Sequence, residues 1–352
     1  MLEVIRTDDA FAALEQEWNA LYSVTPDPVP FQNFAFCRAA WKFVSARDRH
    51  SELHILIWIR KGLKLAIFPL YIDGKHNLRF INDRHMDFCG PVLRPDVAGN
   101  FHMCEDIAEH IRGCREIRRI CLDNMRSDLF QSSLQLQLKG TLLYPYKRWS
   151  FFRMSGDRDA KSAIDTLDQL TTKEKYRLKN IYSKMVKAGA GWKIYNISET
   201  AWPSELIDSL CNAMIVDGIR KDKYFSPDFV AFLRSAYDSG ELSVCATLAE
   251  DGAVACNLFL HSVFSNEYID WIALYRDPSS NSWNLLQFMD YLHSNGGGTV
   301  NFARNIYKYK THNYRPVIRS LDRLRYSKNI FSRVGDVADC LVCCIKRMHR
   351  SK

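Results

Sequence analysis

Between Glu241 and Tyr275 three β-rich runs, ELSVCATLA, AVACNLFLHSVF and EYIDWIALY, are separated by Glu250-Asp251-Gly252 and by Ser265-Asn266. Turn signals this short leave no room for a crossover, so the runs are predicted to pair as an antiparallel meander. DPSSNSWNLLQFMDYLHSNGGG then reads as a loop entering a helix with a glycine-rich stop, and TVNFAR as a further short strand. A meander that feeds a helix through a Ser/Asn-rich loop presents backbone N–H groups where an anion is favoured. The residues expected at that position are Ser280, Asn281, Ser282, Trp283 and Asn284. An ordinary capped helix start has the same composition.

The rest of the chain mixes both kinds of element. Thr7 or Asp8 can cap a helix carrying Phe11, Leu14, Trp18 and Leu21 on one stripe, and Pro26, Pro28 and Pro30 separate it from a second helix over Phe34 to Phe43. LHILIWI and LAIFPLYI read as buried strands around Lys61-Gly62; HMDFCGPVLRPD is turn-rich, Glu105 to Gly113 helical, and IRRICLD a strand. A polar stretch, Ser155 to Lys161, marks a connector. TTKEKYRLKNIYSKMVKAGAG is predicted to be a helix capped at Thr172, with Leu178, Ile181, Met185 and Val186 on its apolar side. Its other face carries Lys173, Lys175, Arg177, Lys179, Lys184 and Lys187, opposed by Glu174 alone. Two amphipathic helices with Ser caps and Gly stops, SELIDSLCNAMIVDG and SPDFVAFLRSAYDSG, precede the meander. A length of 352 residues suggests two packed units, and the composition breaks divide them as 1–155 and 156–330, with a basic tail at 331–352.

Several function classes have no support. The longest mostly apolar runs are far shorter than the ~20 residues of a membrane span, and the acidic N-terminal stretch is unlike a secretory signal. Eleven cysteines, scattered among apolar neighbours, suit reduced thiols in a cytoplasm. Cys340, Cys343 and Cys344 with His349 have no second CxxC at finger-like spacing, so no metal site is expected. Gly-x-Ser-x-Gly, HExxH, P-loop and dinucleotide motifs are absent. Residues 301–352 hold 13 Lys or Arg against 3 Asp, which makes the C-terminal part the source of the net charge of +8. Such a surface attracts phosphates or an anionic lipid face, or is simply solvated.

From Gly240 to Tyr309 the order of elements resembles the acyl-CoA-binding half of the GNAT acyltransferase superfamily. The resemblance is narrower toward the CelD-type branch associated with bacterial polysaccharide synthesis, itself related to FemAB-type aminoacyltransferases that carry two such folds. FPLYIDG, HMDFCGPVL around Asp87, the basic KEKYRLKNIYSKMVKAGAG helix, AEDGAVACNLFLHSV and NFARNIYKYK carry it. It implies an α/β (α+β) chain of two GNAT-like halves, each a mixed, largely antiparallel sheet flanked by helices. The second family element is matched at Arg304, Tyr307, Lys308 and Lys310.

The activity implied is acyl transfer from acetyl-CoA or another acyl-CoA, as co-substrate, to an amino sugar or other polar acceptor in envelope or polysaccharide synthesis. Ser280 to Asn284, Arg304 and Lys308 would hold the cofactor, and Asp87, Tyr268 and Lys308 the acceptor. Thioester aminolysis needs a neutral amine, a stabilised oxyanion and a protonated leaving group. Asp270, among apolar residues on a β-rich run, is the first candidate base, with His261 a second and Tyr307 a candidate acid; Glu267 and Tyr309 are further candidates. Two other readings stay open: aminoacyl transfer from charged tRNA, which the basic helix suits, and a catalytically degenerate scaffold. No DNA partner is expected. The place expected is the cytoplasm, with the basic apolar tail either docked as an ordinary helix or lying at the inner face of a membrane.

Overall fold

The computed structural model describes residues 1–350 apart from 82, 84, 157–161, 220–224, 263 and 307; the side chains of 308, 309 and 347–350 also lie outside the description. The chain forms two compact units, Met1–Arg148 together with Arg319–Lys352, and Trp149–Ile318. The sequence breaks place the first division at residues 155–156, a few positions later, and treat the C-terminal segment separately. In the structure that segment returns to the first unit because its strand pairs there.

Unit 1 begins with β1 (Leu2–Ile5), α1 (Asp8–Ala12), α2 (Glu15–Val24), α3 (Phe34–Arg47), β2 (Glu52–Leu53), β3 (Ile55–Arg60) and β4 (Leu63–Phe68). It continues with β5 (Leu70–Ile72), β6 (Asn77–Phe80), β7 (Val92–Leu93), α4 (Phe101–Gly113), β8 (Arg119–Met125) and α5 (Gln131–Gln137). Thr7 caps the first helix through Ala10 N–H, but the helix expected to run on through Leu21 breaks at Ala13-Leu14. Lys61 and Gly62, at φ 51° and 77°, make the tight β3–β4 turn, a conformation glycine adopts without steric cost. The run LAIFPLYI divides at Pro69, which has no N–H for a ladder. Before it β4 pairs with β3 and β7; after it β5 pairs with β2 and β6.

Unit 2 receives β9 (Leu142–Ser155) from Trp149 onward, then α6 (Thr172–Lys187), β10 (Gly191–Tyr195), α7 (Ser204–Val216), α8 (Pro227–Asp238) and β11 (Leu242–Ala249). β12 (Gly252–His261), β13 (Glu267–Tyr275), α9 (Pro278–Ser294), β14 (Gly297–Arg304) and α10 (Lys308–Tyr314) complete it. The predicted meander is β11-β12-β13, and the unit's strand order is β10-β11-β12-β13-β14-β9, antiparallel except where β13 meets β14. α9 packs on this sheet through Phe288, which stacks on Phe259 at 3.7 Å between ring centroids. Gly297 is there for close approach: a Cβ on it would fall 2.5 Å from the Met154 carbonyl oxygen. The cap of α6 is Thr171, one residue before the expected Thr172, and it forms a reciprocal capping box with Glu174.

The chain returns to unit 1 as β15 (Val317–Ser327) and α11 (Ile330–Arg350), β15 pairing antiparallel with β8, which pairs parallel with β6. α11 packs with its polar side inward. Asp336 meets Arg119 and accepts from Ser327 Oγ at 2.7 Å, while Asp339 accepts from Tyr144 Oη at 2.6 Å and Arg323 at 2.7 Å. Ile330, Phe331, Val334, Val337, Leu341 and Ile345 are exposed. Among the described residues no helix is long and apolar enough to cross a membrane.

Candidate functional site

The parallel contact of β13 with β14 spans three residue pairs, Glu267 to Ile269 against Thr299 to Asn301, and then the strands part. Both are irregular at that point. β13 bulges at Trp271, so that Phe259 faces Asp270 while Leu258 faces Ile272. β14 shifts register between Asn301 and Arg304, with Ala303 at φ 58°, a left-handed conformation rarely adopted by a residue with a side chain. Asp270 is therefore the first residue of β13 beyond the shared ladder.

A line of buried polar side chains leads to it. Asn284, in the second turn of α9, donates through Nδ2 to Asn257 Oδ1 at 2.6 Å and to the Cys245 carbonyl at 2.8 Å. Asn257 Nδ2 donates to Asp270 Oδ1 at 2.8 Å. On the other side Lys310 Nζ lies 3.3 Å from Asp270 Oδ2 and donates to the Phe302 carbonyl at 3.1 Å, in the irregular stretch of β14. Asp270, Asn257, Asn284 and Lys310 are all at most 5% exposed. Burial this deep is tolerated because each charge has an opposite charge or hydrogen-bond partner. Tyr314, one helical turn after Lys310, is also buried, its ring stacked on Phe152, and its hydroxyl has no hydrogen-bond partner among the described residues. Burial, then the Asp270 charge, pushes that phenol well above its ordinary range, so it stays an O–H donor.

The expected anion site has a different construction. Ser280, Asn281, Ser282, Trp283 and Asn284 are not in a loop ahead of the helix; they are buried within the first two turns of α9, which begins at Pro278. Asp277 is the cap, its Oδ1 accepting from Ser279 N–H at 2.8 Å and Ser280 N–H at 3.0 Å, while Ser280 Oγ donates to Oδ2. The proline at the first helical position and the acidic cap account for the earlier start. The Trp283 ring lies 6.4 Å from that of Tyr182 of α6.

The other candidates are spread through the chain. His261, at the end of β12, lies with Nε2 3.4 Å from Ser243 Oγ and its ring beside Tyr268; burial pushes its pKa down, so the ring is neutral. Tyr268 is half-buried against Phe288, its hydroxyl pushed up by burial and by Tyr291. Glu267 accepts from Asn301 Nδ2 at 2.9 Å. Arg304 ends β14, and Lys308 opens α10 with its side chain outside the description. Tyr307 lies outside the described residues, and nothing is described of the Tyr309 side chain. Asp87 is buried in unit 1, in the turn-rich segment whose Phe88, Cys89 and Gly90 line a shallow crevice with Gln32 and Arg126. Asn257, Lys310 and Tyr314 complete the Asp270 cluster without having been singled out as site residues. The available signal was the four-residue spacing of Lys310 and Tyr314, which places both on one face of a helix.

No family model and no curated protein matches the chain. Solved structures do. The C-terminal DUF2156 domain of a putative lysylphosphatidylglycerol synthetase from Agrobacterium fabrum superposes with a TM-score of 0.61 at 10% identity, covering 94% of this chain and 96% of that one. FemX matches with a TM-score of 0.61 at 10% identity, over 96% of this chain and 100% of that one. A tandem GNAT protein from the clavulanic acid biosynthesis pathway matches with a TM-score of 0.50 at 10% identity, over 92% and 98%. The fold is GNAT-like.

Proposed function

We propose that the chain is a GNAT-like transferase that passes an aminoacyl or acyl group to an amine or hydroxyl acceptor, with Asp270 at the reacting centre. The observation carrying this reading is the buried Asn284–Asn257–Asp270–Lys310 line, ending where two parallel strands part. A fixed carboxylate can take the proton released by an attacking amine, while the Lys310 ammonium and the unpartnered Tyr314 hydroxyl can donate to a developing oxyanion.

For the donor, the geometry favours charged tRNA over CoA. The first free N–H groups of α9 already serve the Asp277 carboxylate, and a diphosphate there would meet both competition and like charge. α6 exposes Lys173, Lys179, Lys184 and Lys187, a face suited to a polyanionic backbone. The FemAB resemblance, which implies aminoacyl transfer from charged tRNA, agrees with this reading. An acyl-CoA donor serving an amino sugar, as in the CelD-type branch, is the second reading, supported by the sequence elements quoted for it. α11 is proposed to lie on an anionic membrane, its exposed apolar side matched by the basic C-terminal segment.

Labelled aminoacyl-tRNA and labelled acetyl-CoA, each supplied with amino-sugar and lipid acceptors, separate these readings. Transfer from tRNA, binding that weakens steeply with salt and no calorimetric heat with acetyl-CoA are expected. Saturable acetyl-CoA binding with tRNA-independent product would move the donor to CoA. Retention of biological function after Asp270→Ala and Arg304→Ala together would leave a scaffold.

A further inference from the structure

Unit 1 contains a second chemically distinct cluster that plays no part in the transfer reading. His54 occupies the break between β2 and β3 and is fully buried. His110 and Cys114 lie four residues apart at the end of α4, so they share one helix face. The Nε2 atoms of His54 and His110 are 2.9 Å apart, and one ligand atom from each of the three residues falls within 4.8 Å of the other two. Cys114 Sγ also donates to Glu116 Oε2 at 2.9 Å.

We propose that His54, His110 and Cys114 bind a zinc-class divalent metal, with Glu116 or water as the fourth ligand. Two imidazoles, a thiolate and a carboxylate are the donor set of a tetrahedral, borderline-soft ion. With Zn–N distances of about 2.0–2.1 Å, tetrahedral geometry sets the two ring nitrogens about 3.3 Å apart, so the pair needs to open by only a few tenths of an ångström. Without metal, the contact is a single shared proton between two rings, and His54 Nδ1 is a buried atom with no partner among the described residues.

Protonation and charge are compatible. Burial pushes His54 down to about 3 and His110 down as well, and the neutral imidazole is the form that ligates. Burial, followed by Glu116, raises the Cys114 thiol, so metal binding must displace its proton. The groups facing the cluster are Arg6, which pairs with Glu116, and Lys328, whose Nζ donates to the Cys114 and Arg112 carbonyls at 2.7 and 3.2 Å. A thiolate and a carboxylate balance a divalent ion, leaving these two cations as outer charges. Bound metal would fasten the β2–β3 junction to the end of α4 within unit 1.

The test uses full-length protein stripped by a chelator and titrated with Co²⁺, then with Zn²⁺ in competition. One equivalent of cobalt with a thiolate-to-metal charge-transfer band is expected, absent in Cys114→Ser and unchanged when Cys340, Cys343 and Cys344 are all changed to serine. Outer-sphere changes alone typically cost 10–100-fold in affinity, so His110→Asn is expected to weaken zinc binding by at least ~100-fold. Should His110→Asn fail to fold, the partly exposed Cys114→Ser carries the comparison. Absence of the band, or a band that survives Cys114→Ser, overturns the proposal, as does its disappearance in the triple serine variant.

Discussion

Asp270 and Lys310 define what single side chains can reveal. Truncating one member of a buried ion pair leaves the other charged and unmatched, a change worth about 3–5 kcal/mol. Asp270→Asn is therefore expected to destabilise unit 2 by that amount in urea unfolding and to lower transfer by about 10²–10⁴-fold if the carboxylate is the base. Adding Lys310→Met removes the stranded ammonium, so the double variant should regain stability without regaining transfer. Tyr314 gives the opposite signature. Its hydroxyl has no partner to lose, so Tyr314→Phe is expected to leave stability unchanged or raise it by ~1–3 kcal/mol. A fall in transfer rate with unchanged melting would identify that hydroxyl as a donor to the reacting group; an unchanged rate would remove it from the mechanism.

At the scale of elements, the meander and its flanking helix were legible because alternation and turn residues act locally. Glu250-Asp251-Gly252 has one short-range solution, and β11, β12 and β13 follow from it. The fork was not legible. The bulge at Trp271 and the positive φ of Ala303 answer to strands distant in sequence, and no residue type announces either. α10 escaped for a related reason: KYKTHNY lacks an apolar stripe, yet Lys310 and Tyr314 are buried against the sheet through pairing and stacking. The expected loop at Ser280 to Asn284 failed because Asp277-Pro278 starts the helix earlier. α11 shows periodicity with an inverted outcome, since Asp336 and Asp339 face inward and the apolar stripe outward. Co-sedimentation is expected with anionic phosphatidylglycerol vesicles and not with neutral ones, and Phe331→Asp with Leu341→Asp should reduce it at least ~10-fold. Equal binding to neutral vesicles, or concentration-dependent dimerisation that the same changes abolish, would assign the stripe to another partner.

For the molecule as a whole, the charge cluster of unit 1 sets its response to acid. Burial opposes ionisation of Asp123, but Arg325 at 2.6 Å and the bidentate Arg323 outweigh it and hold the carboxyl below its usual range. A carboxylate lowered in the folded state contributes fully above its unfolded pKa of ~3.9, and the contribution is lost as pH falls through the folded value. Melting is thus expected to drop below about pH 4, with Asp123→Asn less stable at neutral pH by ~3–5 kcal/mol and less steep in acid. An unchanged acid profile in the variant would show that other carboxylates control the transition. The return of β15 to β8 has a consequence for synthesis. Residues 149–318 leave the ribosome as a self-contained insertion, whereas β8 waits, one edge unsatisfied, until the partner encoded almost two hundred positions downstream emerges. The half translated first is therefore the half finished last, and that interval is when the nascent polypeptide most needs a chaperone to shield it from neighbouring chains.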